Sequence, residues 1–254
     1  MIQTIRKAWN IPELRKKIVF TLLILLIYRI GNAIPVPYVD VGALSEYLNS
    51  MKTTVLGLYN VMSGGAFADA TVFALSIQPY INASIIIQLL TVAIPALERM
   101  AREEGEEGRK KIASITRYTT VGIGLIQGFA YYMLMRNQYN ILTNDSIAAA
   151  FVIIVTFVAG SAFIMWLGEQ ITEFGIGNGI SIILFASIIS RIPAGIGTMY
   201  SNREVLGVPG IVGILVGLLA LIVLITHVYN AERRIPVQYA KRQVGRKMYG
   251  GQST

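Results

Sequence analysis

Gln78, Pro79, Asn82 and Gln88 interrupt an apolar run that extends from Ala70 to Leu97. In hydrocarbon, such groups are tolerated only where protein or a water-filled cavity satisfies them. The run therefore suggests the wall of a pathway and not a lipid anchor. Ile77, Ile81 and Ile85 share one helix face at i, i+4 spacing. Ile180 and Leu184 repeat that spacing just after Gly175-Ile176-Gly177-Asn178-Gly179. Branched apolar faces that converge from several helices can block ions by dewetting. Taken alone, each pair is ordinary packing.

The other candidates for chemistry point away from an enzyme. The glycine-rich stretch is not G-x-G-x-x-G, follows no strand and lacks a Gly-Lys-Ser/Thr phosphate loop. It reads as a tight turn opening a helix. His227 is the only histidine and has no cysteine partner, so it reads as an interfacial residue. Glu103, Glu104, Glu106 and Glu107 lie among bases and form a solvated, self-paired surface. No carboxylate pair falls within an apolar run, which leaves an intramembrane proton relay without support. No catalytic set, cofactor or metal site is implied.

The elements that position these residues are membrane spans. The chain has 254 residues, 54% of them hydrophobic and only 14% charged, with a mean hydropathy of +0.58. A soluble domain carries about 25% charged residues, so the expected class is an all-α polytopic membrane protein. Six spans are expected, at 18–36, 70–97, 112–135, 146–168, 176–196 and 208–229, each approaching the ~20 apolar residues needed to cross. Sixteen of the 22 basic residues fall in three clusters. These are Arg6 to Lys17, Arg99 to Lys111, and Arg233, Arg234, Lys241, Arg242, Arg246 and Lys247. A cytoplasmic N-terminus puts all three inside, as the positive-inside rule requires. The first span is not followed by a small-x-small cleavage site and is expected to be retained.

The outer loop 37–69 is long for a loop without structure. Its segment Thr54–Met62 is too short to span. It reads as an interfacial cap or a re-entrant piece, with its lack of basic and bulky aromatic residues favouring the second. Gly124-x-x-x-Gly128 and Gly213-x-x-x-Gly217 allow close helix approach. Arg29 lies about 12 residues beyond Lys17, roughly 18 Å along a helix, too deep to snorkel back. It either reaches the outer interface near Asn32 or pairs with another span or chain. Arg117 can snorkel. The polar ending Gln252-Ser253-Thr254, just after a sixth span, suggests a truncated or split chain.

Several motifs together resemble the bacterial SecY family, the central subunit of the Sec protein-conducting channel. They are Ser63-Gly64-Gly65-Ala66, Pro79-Tyr80-Ile81-Asn82-Ala83-Ser84-Ile85-Ile86-Ile87-Gln88-Leu89-Leu90, Gly105-Glu106-Glu107-Gly108-Arg109-Lys110-Lys111, Trp166-Leu167-Gly168-Glu169-Gln170-Ile171-Thr172-Glu173, Gly175-Ile176-Gly177-Asn178-Gly179-Ile180-Ser181 and Tyr239-Ala240-Lys241-Arg242. The resemblance runs end to end, but that family has ten spans in two inverted five-helix halves. It implies a helix bundle made of the N-terminal half plus the sixth span. It also implies an hourglass channel in the bacterial cytoplasmic membrane, moving unfolded secretory polypeptides across it and signal or transmembrane segments into it. Thr54-Val55-Leu56-Gly57-Leu58-Tyr59-Asn60-Val61-Met62-Ser63-Gly64-Gly65 matches the re-entrant plug. Ile77, Ile81, Ile180 and Leu184 match four of six pore-ring positions, Leu184 departing conservatively from isoleucine. Span 2, through Gln78, Asn82, Ile85 and Gln88, matches one wall of the lateral gate. The basic tail matches a loop that docks the ribosome, through ribosomal RNA and protein near the exit tunnel, or the SecA motor. Implied partners also include SecE, SecG, the nascent polypeptide, membrane lipid and spans 7–10. A secondary transporter with helices broken at midplane is the rival reading. It explains Pro79 and the glycine-rich turn but needs a coupling-ion site.

Overall fold

The computed structural model describes residues 9–51, 54–138 and 141–233 together with four short strands between 237 and 253. It divides into two compact units, Met1–Pro193 and Ala194–Thr254. In the first unit, α1 spans Pro12–Gly31, α2 Val41–Ser50, α3 Val55–Met62, α4 Gln78–Ala93, α5 Pro95–Arg102, α6 Gly105–Arg136, α7 Ile147–Phe174 and α8 Gly179–Ile189. Local chemistry sets most of these starts. Prolines occupy the first turns of α1, α4 and α5, where the missing N–H costs no bond. Asp40, Ser146 and Asn178 cap α2, α7 and α8 by accepting from the N–H of Ala43, Ala149 and Ser181.

Three stretches depart from the expected spans. The span expected at 18–36 ends as helix at Gly31; Val36 N–H then donates to Ala70 O at 2.9 Å and Val72 N–H to Ile34 O at 2.9 Å. Ile34-Pro35-Val36 is therefore bridged to 70–72. The span expected at 70–97 is helical only from Gln78, and at Ile94, before Pro95, it bends by 102° into α5. Residue 94 precedes a proline and takes an extended conformation (ψ 113°), as the clash with the ring demands. Within the span expected at 176–196 the helix is interrupted after Ile189 and resumes as α9, Ile192–Ser201. The helix α2 was not legible as such in the polar outer loop.

By length and apolarity, Ile147–Phe174, Gly179–Ser201 and Gly207–Tyr229 can cross a membrane, and the bent pair α4–α5 makes up to four. The helices α1 and α6 fall short of that criterion; each opens on a charged turn, and Thr, Gly, Gln and Tyr run through α6.

Two buried clusters hold the first unit together. One joins Leu44 of α2, Phe67, Leu75, Tyr131 and Met135 of α6, and Phe157 of α7. The other joins Ile24 and Tyr28 of α1, Ile77, Ile164 and Ile171 of α7, and Ile183 of α8. Gly124 and Gly128 lie buried against Ser161, Val158 and Ile154, so this small-residue pair brings α6 onto α7. The second unit holds α10, Arg203–Tyr229, kinked at Gly207 (φ 64°) and carrying Pro209. Gly213 and Gly217 have nothing within 4 Å of an added Cβ among the described residues. Beyond it, β1 (Val237–Gln238) pairs antiparallel with β4 (Gln252–Ser253), and β2 (Arg242–Val244) with β3 (Lys247–Tyr249). The sequence reading expected only loop there.

A Cβ at Gly160 would collide with the backbone oxygen of Val72, which cannot swing aside. Gly160→Ala is expected to destabilise the bundle by about 1–3 kcal/mol, seen as a lower midpoint of thermal unfolding in detergent. An unchanged midpoint means that α7 and the 70–77 segment are not in that contact.

Candidate functional site: an isoleucine cluster beside a short helix

The site is built where the buried turn segment 63–77 enters α4. Ser76 has φ 52°, in the left-handed region, and the chain turns there so that Ile77 becomes the residue preceding the α4 helix. Ile77 is fully buried (0% exposed). A Cβ added at Gly168 of α7 would lie 3.2 Å from Ile180 Cγ1 and 3.6 Å from Ile77 Cδ1. Both isoleucines thus lie over the same bare glycine. Ile81 and Ile180 pack against the cluster that holds Ile77. The close approach of α7 and α8 depends on a second glycine, since a Cβ at Gly179 would strike the Gly168 oxygen. Leu184 is half-buried and does not belong to that cluster.

The short helix α3 lies beside this group. Gln78 Nε2 donates to Met62 Sδ at 3.4 Å, joining the end of α3 to the first residue of α4. Tyr59 OH donates to Leu75 O at 3.1 Å. One face of α3 remains open, with Val55, Leu58 and Val61 exposed. Ser63-Gly64-Gly65 follows in a compact set of hydrogen bonds. Asn60 O accepts from Gly65 N–H at 2.9 Å, and Asn60 Oδ1 accepts from Ala68 N–H at 3.0 Å. Ser63 Oγ accepts from Phe67 N–H at 3.1 Å. Tyr131 OH donates to Phe67 O. Gly64 and Gly65 both have positive φ, 67° and 95°, a conformation that glycine adopts without strain.

Next to Ile180, a cavity of about 470 Å³ is lined by Tyr80, Arg117, Trp166, Glu169, Gln170 and Asn178. Arg117 Nε donates to Glu169 Oε1 at 2.8 Å. Arg117 is therefore ion-paired, which its position near a helix end did not reveal. Of the positions on α4, Gln78 and Asn82 are half-buried, while Ile85 and Gln88 are exposed along one side. In the first turns of α6, Lys111 Nζ lies 2.9 Å from Oε2 of Glu104, the residue preceding the helix, and 3.7 Å from Glu107 Oε1. The hydrogen bond to Glu104 raises the Lys111 pKa. His227 is exposed in the last turn of α10. Arg233 is exposed, whereas Arg234, Lys241 and Arg246, like Arg6, Lys7 and Lys52, lie outside the described residues. Arg242 and Lys247 have described backbone only, in β2 and β3.

This arrangement, a short helix beside a buried apolar cluster, is that of an all-α membrane helix bundle. A solved structure described as that of a protein conducting channel covers 93% of this chain at TM-score 0.58 and 19% identity. Sec61 in the canine ribosome–channel complex matches at TM-score 0.58 over 89%. A SecY structure concerned with how the plug domain stabilises the closed channel matches at 0.58 over 93%. The SecY family model matches residues 71–254, and the chain belongs to the SecY family. It is 44% identical to a protein translocase subunit SecY of Streptomyces scabiei and 41% identical to that of Aquifex aeolicus, over its whole length in both cases. It is 42% identical to that of Escherichia coli K12 over 96% of its length. The chain spans 61%, 61% and 56% of those three relatives. These relatives do not favour the transporter alternative.

Asn60→Ala removes the side-chain acceptor of Ala68 N–H without touching the isoleucine cluster. Hydrogen exchange at the Ala68 amide is expected to quicken about fivefold or more, the scale of one lost hydrogen bond. Unchanged protection there would mean that the Asn60 side chain does not hold the 65–68 turn.

Proposed function

We propose that this chain supplies the first six spans of a protein-conducting channel subunit in the bacterial cytoplasmic membrane. In this reading it passes unfolded secretory polypeptides across the bilayer and releases signal or transmembrane segments sideways into lipid. The observation that carries the reading is the meeting of Ile77 and Ile180 over Gly168, with Met62 of α3 held against Gln78. Ile77, Ile81, Ile180 and Leu184 form part of the pore ring, and the other ring positions lie on spans 7–10 of the family. Branched aliphatic side chains offer a passing chain no fixed polar partner, so they yield to it without gripping it. When they close, they expel water and ions. Residues 54–65 form the plug. Gln78, Asn82, Ile85 and Gln88 line one wall of the lateral gate, on the side of α4 that leaves Ile85 and Gln88 uncovered.

The N-terminus is cytoplasmic in this reading, because that orientation keeps the three basic clusters inside. Driving force then comes from outside the chain. Arg233, Arg234, Lys241, Arg242, Arg246 and Lys247 attract ribosomal RNA or an acidic motor surface such as that of SecA, with an affinity that falls as salt rises. SecE and SecG are the expected companion subunits.

Ile77→Gly combined with Ile81→Gly, in a ten-span chain, is expected to raise resting ion conductance across planar bilayers by tenfold or more, on the order of what opening a dewetted constriction releases. A leak equal to that of the parent would remove the ring assignment. Lys241→Glu with Arg242→Glu is expected to weaken binding of ribosomes or motor to membranes, most strongly at low salt; equal binding at low salt would remove the docking assignment. An arrested secretory chain should crosslink to probes at positions 77, 81 and 180, and crosslinks confined to lipid would defeat the whole reading.

A further inference from the structure

The geometry points to an anion-binding site at the end of α1 opposite its basic first turn, where Arg29 and Arg191 hold a phosphate-type oxyanion and the Asn32 amide donates to it. A cavity of about 260 Å³ lies there, lined by Arg29, Asn32, Ala33, Asp69 and Arg191 beside Gly64. A water molecule's share of liquid volume is about 30 Å³, so the space admits a tetrahedral oxyanion with several waters. Two guanidinium groups and one carboxylate line it, and the balance is one positive charge. Among the described residues, neither arginine forms an ion pair or a side-chain hydrogen bond, although Asp69 borders the same cavity. Asn32 Nδ2 and Oδ1 are both buried without a partner. Buried amides are almost always hydrogen-bonded, and the described residues supply this one with no partner.

Arg191 is also held in place. Its guanidinium fills the space that a side chain at Gly65 would need, with Cζ 2.5 Å from an ideal Cβ there. A fixed, planar guanidinium suits a phosphate oxygen pair better than a mobile ammonium does. The C-terminal ends of α1 and α8 favour nearby cations, which explains why arginines are tolerated at both places. They leave the guanidinium donors and Asn32 Nδ2–H unbonded; an oxyanion accepts from these donors, and Asn32 Oδ1 accepts from a water that accompanies it.

The chain has no cysteine, so the site can be probed with a single Ala33→Cys in an otherwise cysteine-free complete subunit, in detergent and in nanodiscs. Maleimide labelling at position 33 is expected to slow when inorganic phosphate replaces chloride at constant ionic strength, or when phosphatidylglycerol replaces phosphatidylcholine in the disc. Protection by phosphate identifies free anion as a source, and protection by phosphatidylglycerol alone identifies the lipid headgroup; either supports the site. Arg29→Gln or Arg191→Gln should weaken the protective affinity about tenfold each, the scale of a lost charge-assisted hydrogen bond. Asp69→Asn, which removes the competing carboxylate, should strengthen it. Equal labelling under all conditions, or protection that survives both arginine substitutions, would overturn the assignment. The Asp69→Asn arm reads out even if an arginine variant fails to fold.

Discussion

Between Ser63 and Ile77 the backbone runs buried and largely without helix, and the polar groups of that segment must be satisfied by the protein itself. An amide buried away from water without a partner costs several kcal/mol. The surrounding structure answers that demand. Residues 34–36 pair with 70–72, Asn60 and Ser63 accept from the amides of 65, 67 and 68, and Tyr59 and Tyr131 donate to the carbonyls of Leu75 and Phe67. The tyrosines of α3 and α6 and the small residues of α7 are therefore read through this one requirement. The buried Ser76 Oγ remains unpaired, at the residue that turns the chain into α4.

That satisfied turn separates two kinds of surface. Below it, Ile77 joins the cluster of α1, α7 and α8, and glycines at 168 and 179 let the helices close around it. Beside it, α3 keeps an apolar face open and is tied by few bonds, chiefly at Tyr59, Asn60 and Met62. The isoleucine cluster is held by many weak contacts and no strong directional ones, whereas α3 is held by a few named hydrogen bonds at its C-terminal end.

The second unit contrasts with the first. Leu215, Leu219, Ile222 and Val223 of α10 are exposed around the helix. A helix apolar on all sides is at rest only in lipid or against other helices. The chain's share of its relatives' length, about three-fifths, is consistent with neighbouring spans that cover such faces.

Composition and long apolar runs were enough to indicate an all-α membrane bundle, because those properties depend only on transfer free energies along the chain. The motifs Ser63-Gly64-Gly65, Pro79 to Leu90 and Gly175 to Ser181 marked the family, and the i, i+4 pairs marked Ile77, Ile81, Ile180 and Leu184. What one dimension could not hold was the break at Gly31, the late start of α4 at Gln78 and the bend at Ile94. Nor could it show the Arg117–Glu169 pair, or the cavity that gathers Arg29, Asn32, Asp69 and Arg191. Each of those depends on which distant backbone satisfies a buried amide or where two side chains far apart in the chain come to rest. Hydrophobicity is a property of each residue taken singly, whereas hydrogen-bond partners and shared cavities exist only once the helices have packed.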